Sequence, residues 1–231
     1  METPQSRMAE VDLENLIFSA PRRDADVELT VKRSRFIGSV RMALSADEAG
    51  AAIKAFPALY PKANHHCWAY RVGISSPLEH SSDAGEPAGT AGRPILGMIK
   101  RHCLDNTLVV VTRYFGGIKL GVRGLIDAYG EAAELAVNEA GAVEMQYYNA
   151  LSLTCGYDYS KTLLTSLKKW GFDEGRADVS YGEDVEASLE VPLALRREIS
   201  PQLEEMRARG LLSKLEWGEE PFVRERWPNK G

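Results

Sequence analysis

The run NTLVVVTRYFGGIKLG, residues 106–121, constrains this chain more than any other stretch. Leu108, Val109, Val110 and Val111 follow one another with no polar alternation, which suits a strand buried on both faces. The run empties into Gly116-Gly117-Ile118-Lys119-Leu120-Gly121, and the most periodic segment of the chain begins there. Val122, Leu125, Ile126, Tyr129, Ala132, Ala133, Ala136 and Val137 fall on one helical face; Asp127, Glu131, Glu134 and Asn138 fall on the other.

Upstream, Val27–Lys32 and Arg35–Met42 read as two short strands joined by a turn at KRSR, and residues 1–26 read as a loosely held arm. Ser45-Ala46-Asp47-Glu48 is a capping-box pattern opening a helix that Pro57 is expected to close. A strand follows at His66–Val72. The glycine-rich stretch SSDAGEPAGTAGRP, residues 81–94, comes next, and Pro94 suits the first residue of a helix reaching to about Cys103.

The pattern changes near Gly141. A strand (Tyr148–Thr154) and a helix carrying Leu163, Leu164, Leu167 and Trp170 precede a hairpin, with Gly182-Glu183 as a two-residue turn. A helical stretch then breaks or restarts at Ser200-Pro201, and Leu211–Trp217 forms the last strand. The order βαββαβ is the ferredoxin-like plan. The expected architecture is therefore α+β: an arm (1–26), an N-terminal α/β domain (27–144), a ferredoxin-like domain (145–217) and a tail (218–231).

A length of 231 residues accommodates either one large domain or two small ones, and 44% hydrophobic with 26% charged residues marks a soluble globular chain. The net charge of −5 argues against coating nucleic acid by bulk attraction. Residues 66–125 are locally basic, with seven Lys/Arg against four acids. Cys67, Cys103 and Cys155 are odd in number and widely spaced, which makes no disulfide framework. No basic start leads into an apolar run and no window resembles a membrane span, so the expectation is cytoplasmic, with no membrane partner.

Both glycine-rich segments lie between a strand and a helix, where free N–H groups and the helix dipole favour anions. Arg93 flanks the first; Arg113, Lys119 and Arg123 flank the second; Tyr114 and Phe115 offer a stacking face. Neither segment matches G-x-x-x-x-G-K-[ST] or G-x-G-x-x-G. The plainer reading is that the glycines permit tight turns while Asp83 and Glu86 pair internally with the arginines. His65-His66-Cys67 cannot bind one ion from a regular strand, whose neighbours face opposite ways, and no C-x-x-C accompanies them. No metal and no cofactor is therefore expected. His80 beside Ser81, Ser82 and Asp83 lacks a G-x-S-x-G, and Cys67 fits a buried small residue better than a nucleophile.

HHCWAYRVG, SDAGEPAGTAGRPILGMI and VVVTRYFGGIKLGVRGLIDAYGEA together resemble the signature of the YigZ/IMPACT family, over roughly residues 27–140. The matching positions are His66, Asp83, Glu86, Arg93, Arg113, Tyr114, Gly116, Gly117 and Gly121, with Gly85 in the same loop. Many relatives carry an acid where this chain has Ala84, and often a basic or neutral polar residue at Asp127. The resemblance implies an N-terminal fold like the second domain of a small-subunit ribosomal protein and domain IV of elongation factor G. It implies a C-terminal half like domain V of that factor. Eukaryotic members regulate translation under amino-acid starvation; bacterial members have no settled biochemical role. The leading expectation is a non-enzymatic, translation-linked binding protein contacting RNA or a ribosome-associated protein. Arg93, Arg113, Lys119 and Arg123 would supply charge, and Tyr114 a stacking surface. The alternative is a small-molecule enzyme in which His66, Asp83 and Glu86 converge as acid and base. In a third reading the C-terminal domain carries the contacts.

Overall fold

The computed structural model describes residues 17–74, 76–172 and 176–226. The chain divides after Glu144 into two compact units. The first, Phe18–Glu144, is built on a five-stranded sheet ordered β2-β3-β6-β4-β5, antiparallel throughout. Its strands are β2 (Ala25–Val31), β3 (Ser34–Met42), β4 (His65–Val72), β5 (Leu78–Ser82) and β6 (Thr107–Tyr114), preceded by β1 (Ile17–Pro21). As the apolar run requires, β6 is central and covered on both faces. Val109 and Val111 pack with α2 (Gly92–Arg101) and α3 (Gly121–Ala140). Leu108 and Val110 pack with α1 (Ala46–Leu59) on the other side. Alternation on β4 follows suit: Cys67 and Ala69 face α2 and α3, while Trp68, Tyr70 and Val72 face α1.

The second unit, from Met145 on, holds most of β7 (Ala142–Cys155), then α4 (Tyr157–Lys169), β8 (Ala177–Tyr181), β9 (Val185–Pro192), α5 (Leu193–Ala208) and β10 (Lys214–Trp217). Its strands align β8-β9-β7-β10, all antiparallel, the ferredoxin-like arrangement. Leu151, Leu153, Val185 and Leu189 pack beneath Leu163, Leu167, Ile199 and Leu203.

Several boundaries differ from the sequence expectation. The described part of the expected arm, residues 17–26, forms β1 and the start of β2; Phe18, Ala20 and Ala25 are buried, and Ser19 accepts from the Asp105 N–H. Residues 1–16 lie outside the described residues. Pro57 does not end α1, which runs on to Leu59. Pro201 does not break α5, because Ile199 and Leu203 on either side are fully buried and hold the helix to its core. α2 starts two residues before Pro94. The hairpin loop has three residues, since Tyr181 pairs with Val185 and Gly182 donates to the Asp184 carbonyl. The expected tail contains a strand, β11 (Phe222–Glu225), paired with β7.

Candidate functional site

Asp83 answers the first question the glycine-rich stretch poses. Its Oδ1 accepts from the Ala91 and Gly92 N–H groups (2.9 and 2.8 Å), and its Oδ2 from Gly89 (2.7 Å). Burial acts to raise its pKa, but these three backbone donors, helped by the charge of Arg93, outweigh it and hold the carboxyl below the usual range. The N-terminus of α2 is thus closed by the protein's own carboxylate, at the place where a phosphate would sit.

Glu86 has a different partner. Its Oε1 accepts from Arg113 (2.5 Å) and from the Tyr129 hydroxyl (2.8 Å), with side chains 4% and 7% exposed for Glu86 and Arg113. Burial pushes the Tyr129 hydroxyl above its ordinary range, and neighbouring Cys67 and Glu86 push the same way. The Arg113 guanidinium lies 5.4 Å from the ring centres of both Phe36 and Phe115. Arg113 is therefore a buried half of an internal ion pair, which corrects the expectation of an exposed phosphate contact.

The register of β4 against β6 sets His65 opposite Arg113 and His66 opposite Thr112. His66 consequently turns to the α1 face, where its Nδ1 meets Thr112 Oγ1 at 3.0 Å. Burial, then the adjacent His65, lowers its pKa. The expected convergence of His66, Asp83 and Glu86 does not occur: His66 is across the sheet and Asp83 is spent on α2. The histidine that does approach Glu86 is His65, with Nε2 3.9 Å from Oε1. Its Nδ1 lies 2.9 Å from the Ala84 carbonyl. A carbonyl only accepts, so Nδ1 carries the proton, and of the two neutral tautomers this contact selects the one with its lone pair on Nε2. Ala84 (φ 44°) and Gly85 (φ 89°) both take left-handed backbone to deliver that carbonyl.

His65, Glu86 and Arg113 line a cleft of about 430 Å³, walled on the apolar side by Phe115, Leu120, Val122 and Leu125. Lys119 and Gly121 complete it at the start of α3. Here α3 contrasts with α2, whose first N–H groups Asp83 takes: Leu120 at the N-cap of α3 is helical and makes no side-chain capping bond, and no carboxylate closes its first turn. The orphan N–H groups and positive dipole end are left to an incoming anion.

The remaining expected residues fall elsewhere. Tyr114 has its ring under Arg35 (4.3 Å) and its hydroxyl on the Pro61 carbonyl, so its face is already used within the protein. Arg93 is exposed outside the cleft lining, and Arg123 is an exposed partner of Asp127. A Cβ on Gly116 would stand 2.0 Å from the Arg33 carbonyl, so this glycine is required for packing. Gly117 and Gly121 have positive φ in the same loop. Sequence reasoning missed His65 and Tyr129. The signal for His65 was its parity with Cys67 and Ala69, which places it on the α2–α3 face of the sheet; nothing local distinguished Tyr129 from the apolar face of its helix.

Burial pushes the Cys67 thiol up to about 12, and its Sγ donates to the Asp83 carbonyl (2.9 Å), so it is a packed residue and not a nucleophile. Among the described residues no group of three or more His, Cys, Asp or Glu could hold a metal ion, and no helix is long and apolar enough to cross a membrane.

Residues 32–137 match the family model described as the Impact N-terminal domain. The IMPACT family member YvyE of Bacillus subtilis is 35% identical over 159 residues, covering 69% of this chain and 72% of that protein. The IMPACT family member YigZ of Escherichia coli is 34% identical over 139 residues, covering 59% and 68%. A solved structure described as that of a hypothetical protein superimposes with a TM-score of 0.61 at 30% identity, covering 88% of this chain and 98% of the other. Similarity at this identity and coverage, with the signature loops forming one cleft in the matched segment, places the chain in the IMPACT family.

Proposed function

We propose that this protein is a non-enzymatic, translation-linked regulatory binding protein that holds RNA phosphate at the cleft of its N-terminal unit. One observation carries the reading: α3 begins uncapped and free of acids beside exposed Lys119, whereas the equivalent anion position at α2 is filled by Asp83. Half-exposed Phe115 borders the same cleft and offers the stacking surface that Tyr114 does not. The family resemblance supplies the link to translation.

The C-terminal unit is a poorer candidate for phosphate. The sheet face away from its core presents Asp178, Glu186, Glu190 and Glu216, all exposed. Lys214 and Arg224 are already paired there with Glu216 and Glu190.

The test is binding of ribosomes and total RNA across a salt series. Lys119→Ala is expected to weaken binding and reduce the log–log salt slope by about one, since one fewer cation displaces counterions. A wild type that binds neither ribosomes nor RNA at low salt would remove the proposal.

A further inference from the structure

The floor of the cleft is built for more than a phosphate. All of the close contacts of Glu86 fall on Oε1, which takes Arg113 and Tyr129 and faces His65. Oε2 has no protein donor among the described residues, although the side chain is 96% withdrawn from solvent and lines the cleft. A carboxylate oxygen in such a place calls for a hydrogen-bond donor. Beside it lies a second acceptor: the Ala84 carbonyl holds Nδ1–H, which selects the neutral tautomer with its lone pair on Nε2, and no protein donor among the described residues takes that lone pair. The floor therefore offers two neighbouring acceptors.

Charge narrows the ligand. Arg113 already neutralises Glu86, and Lys119 with the open end of α3 leaves the cleft positive. An ammonium group is thus a poor guest, whereas neutral N–H donors on an anionic molecule fit. The apolar wall of Phe115, Leu120, Val122 and Leu125 asks for a flat or apolar body between the donors and the anion.

We propose that the cleft takes a guanine nucleotide. The N1–H and N2–H₂ groups of the base would meet His65 Nε2 and Glu86 Oε2, the ring would lie against Phe115, and the phosphate would reach Lys119 and the first N–H groups of α3. Guanine is the standard base whose Watson–Crick edge sets two donors side by side. Adenine and cytosine place an acceptor nitrogen beside their amino group, and uracil flanks one donor with two acceptors, so each would oppose lone pair to lone pair. Unstacked bases are commonly read on this edge. The inference rests on the anion-binding reading above and specifies what accompanies the phosphate; the nucleotide is either free or an unpaired residue of RNA.

The experiment measures binding of 5′-GMP, AMP, CMP and UMP to the full chain at pH 8, and of an all-uridine single strand with and without one central guanosine. GMP is expected to bind about tenfold or more tightly than the other three, the usual discrimination of a paired-edge contact. His65→Ala should keep nucleotide binding but lose the guanine preference, and Lys119→Ala should weaken all four alike. Glu86→Gln, which disturbs a buried pair, is interpreted only against these two surface-accessible variants. Four nucleotides binding within twofold of one another would overturn the guanine assignment. Salt-sensitive binding of both RNA strands equally would overturn it while leaving the phosphate reading intact. GMP binding with no RNA binding would remove the RNA reading and keep the site, and no binding at all would remove both.

Discussion

Replacing Asp83 is the perturbation whose cost can be worked most directly from the structure. Asp83→Ala strips the acceptor from three backbone donors at once. Gly89 is only partly buried and can turn to water, but Ala91 and Gly92 are buried, and their N–H groups would be left without a partner. At roughly 1–3 kcal/mol for each orphaned buried donor, the expected loss is about 4 kcal/mol. With a urea slope of about 2 kcal/mol/M, the midpoint of the N-terminal unit should fall by about 2 M. Trp68 is the single tryptophan within Phe18–Glu144, so its indole resonance reports that unit alone. Asp83→Asn keeps an acceptor for the Ala91 and Gly92 donors and turns an amide nitrogen toward Gly89, costing about 1–2 kcal/mol. The pH dependence has a definite sign. Because the folded pKa lies below the ordinary carboxylate value, the stabilisation is complete above that value and is lost as pH falls through the depressed one. The gap between wild type and Asp83→Asn should be flat near neutrality and shrink below about pH 4. Added sulfate should recover part of the loss in Asp83→Ala, since an anion can take the vacated helix end. A midpoint for Asp83→Ala within about 0.5 M of wild type would refute the reasoning.

Two further outcomes follow from packing. Gly116→Ala drives a Cβ to 2.0 Å from the Arg33 backbone and should cost about 3 kcal/mol or prevent folding, whereas Gly117→Ala, strained only by its φ of 84°, should cost about 1 kcal/mol; chemical denaturation of the pair tests the order, and a reversal would sink the argument. In native protein at pH 8 a thiol reagent should label Cys103 rapidly, because it is exposed, while buried Cys67 and Cys155, with burial raising both pKa values, wait for denaturant; intact mass showing two fast labels would contradict this.

Where a signal is local, the sequence was readable. The continuous run of β6 and the 3.6-residue period of α3 identified both elements, and the capping box at Ser45 is formed in part as expected. Glu48 N–H donates to Ser45 Oγ, while the Glu48 carboxylate reaches the Leu44 N–H and not that of Ser45. Where position depends on distant partners, local signals misled. Pro57 and Pro201 looked like helix ends, yet buried Ile199 and Leu203 carry α5 past Pro201, and α1, anchored by buried Phe56, runs two exposed residues beyond Pro57. β1, β5 and β11 are too short to show a period, and each exists through what it pairs with or packs against.

The same division holds at the cleft. The sequence by itself determined that two glycine-rich, charge-bearing segments join strands to helices, and that His65 and His66 face opposite ways. Only the tertiary structure decided which carboxylate met which donor. Asp83 closes α2, Glu86 is buried with Arg113 and Tyr129, and α3 is left open beside Lys119. Sequence pattern sets the face a side chain occupies, since that follows from the backbone period. The identity of its partner depends on strand register and loop path, which bring groups far apart in the chain to within about 3 Å.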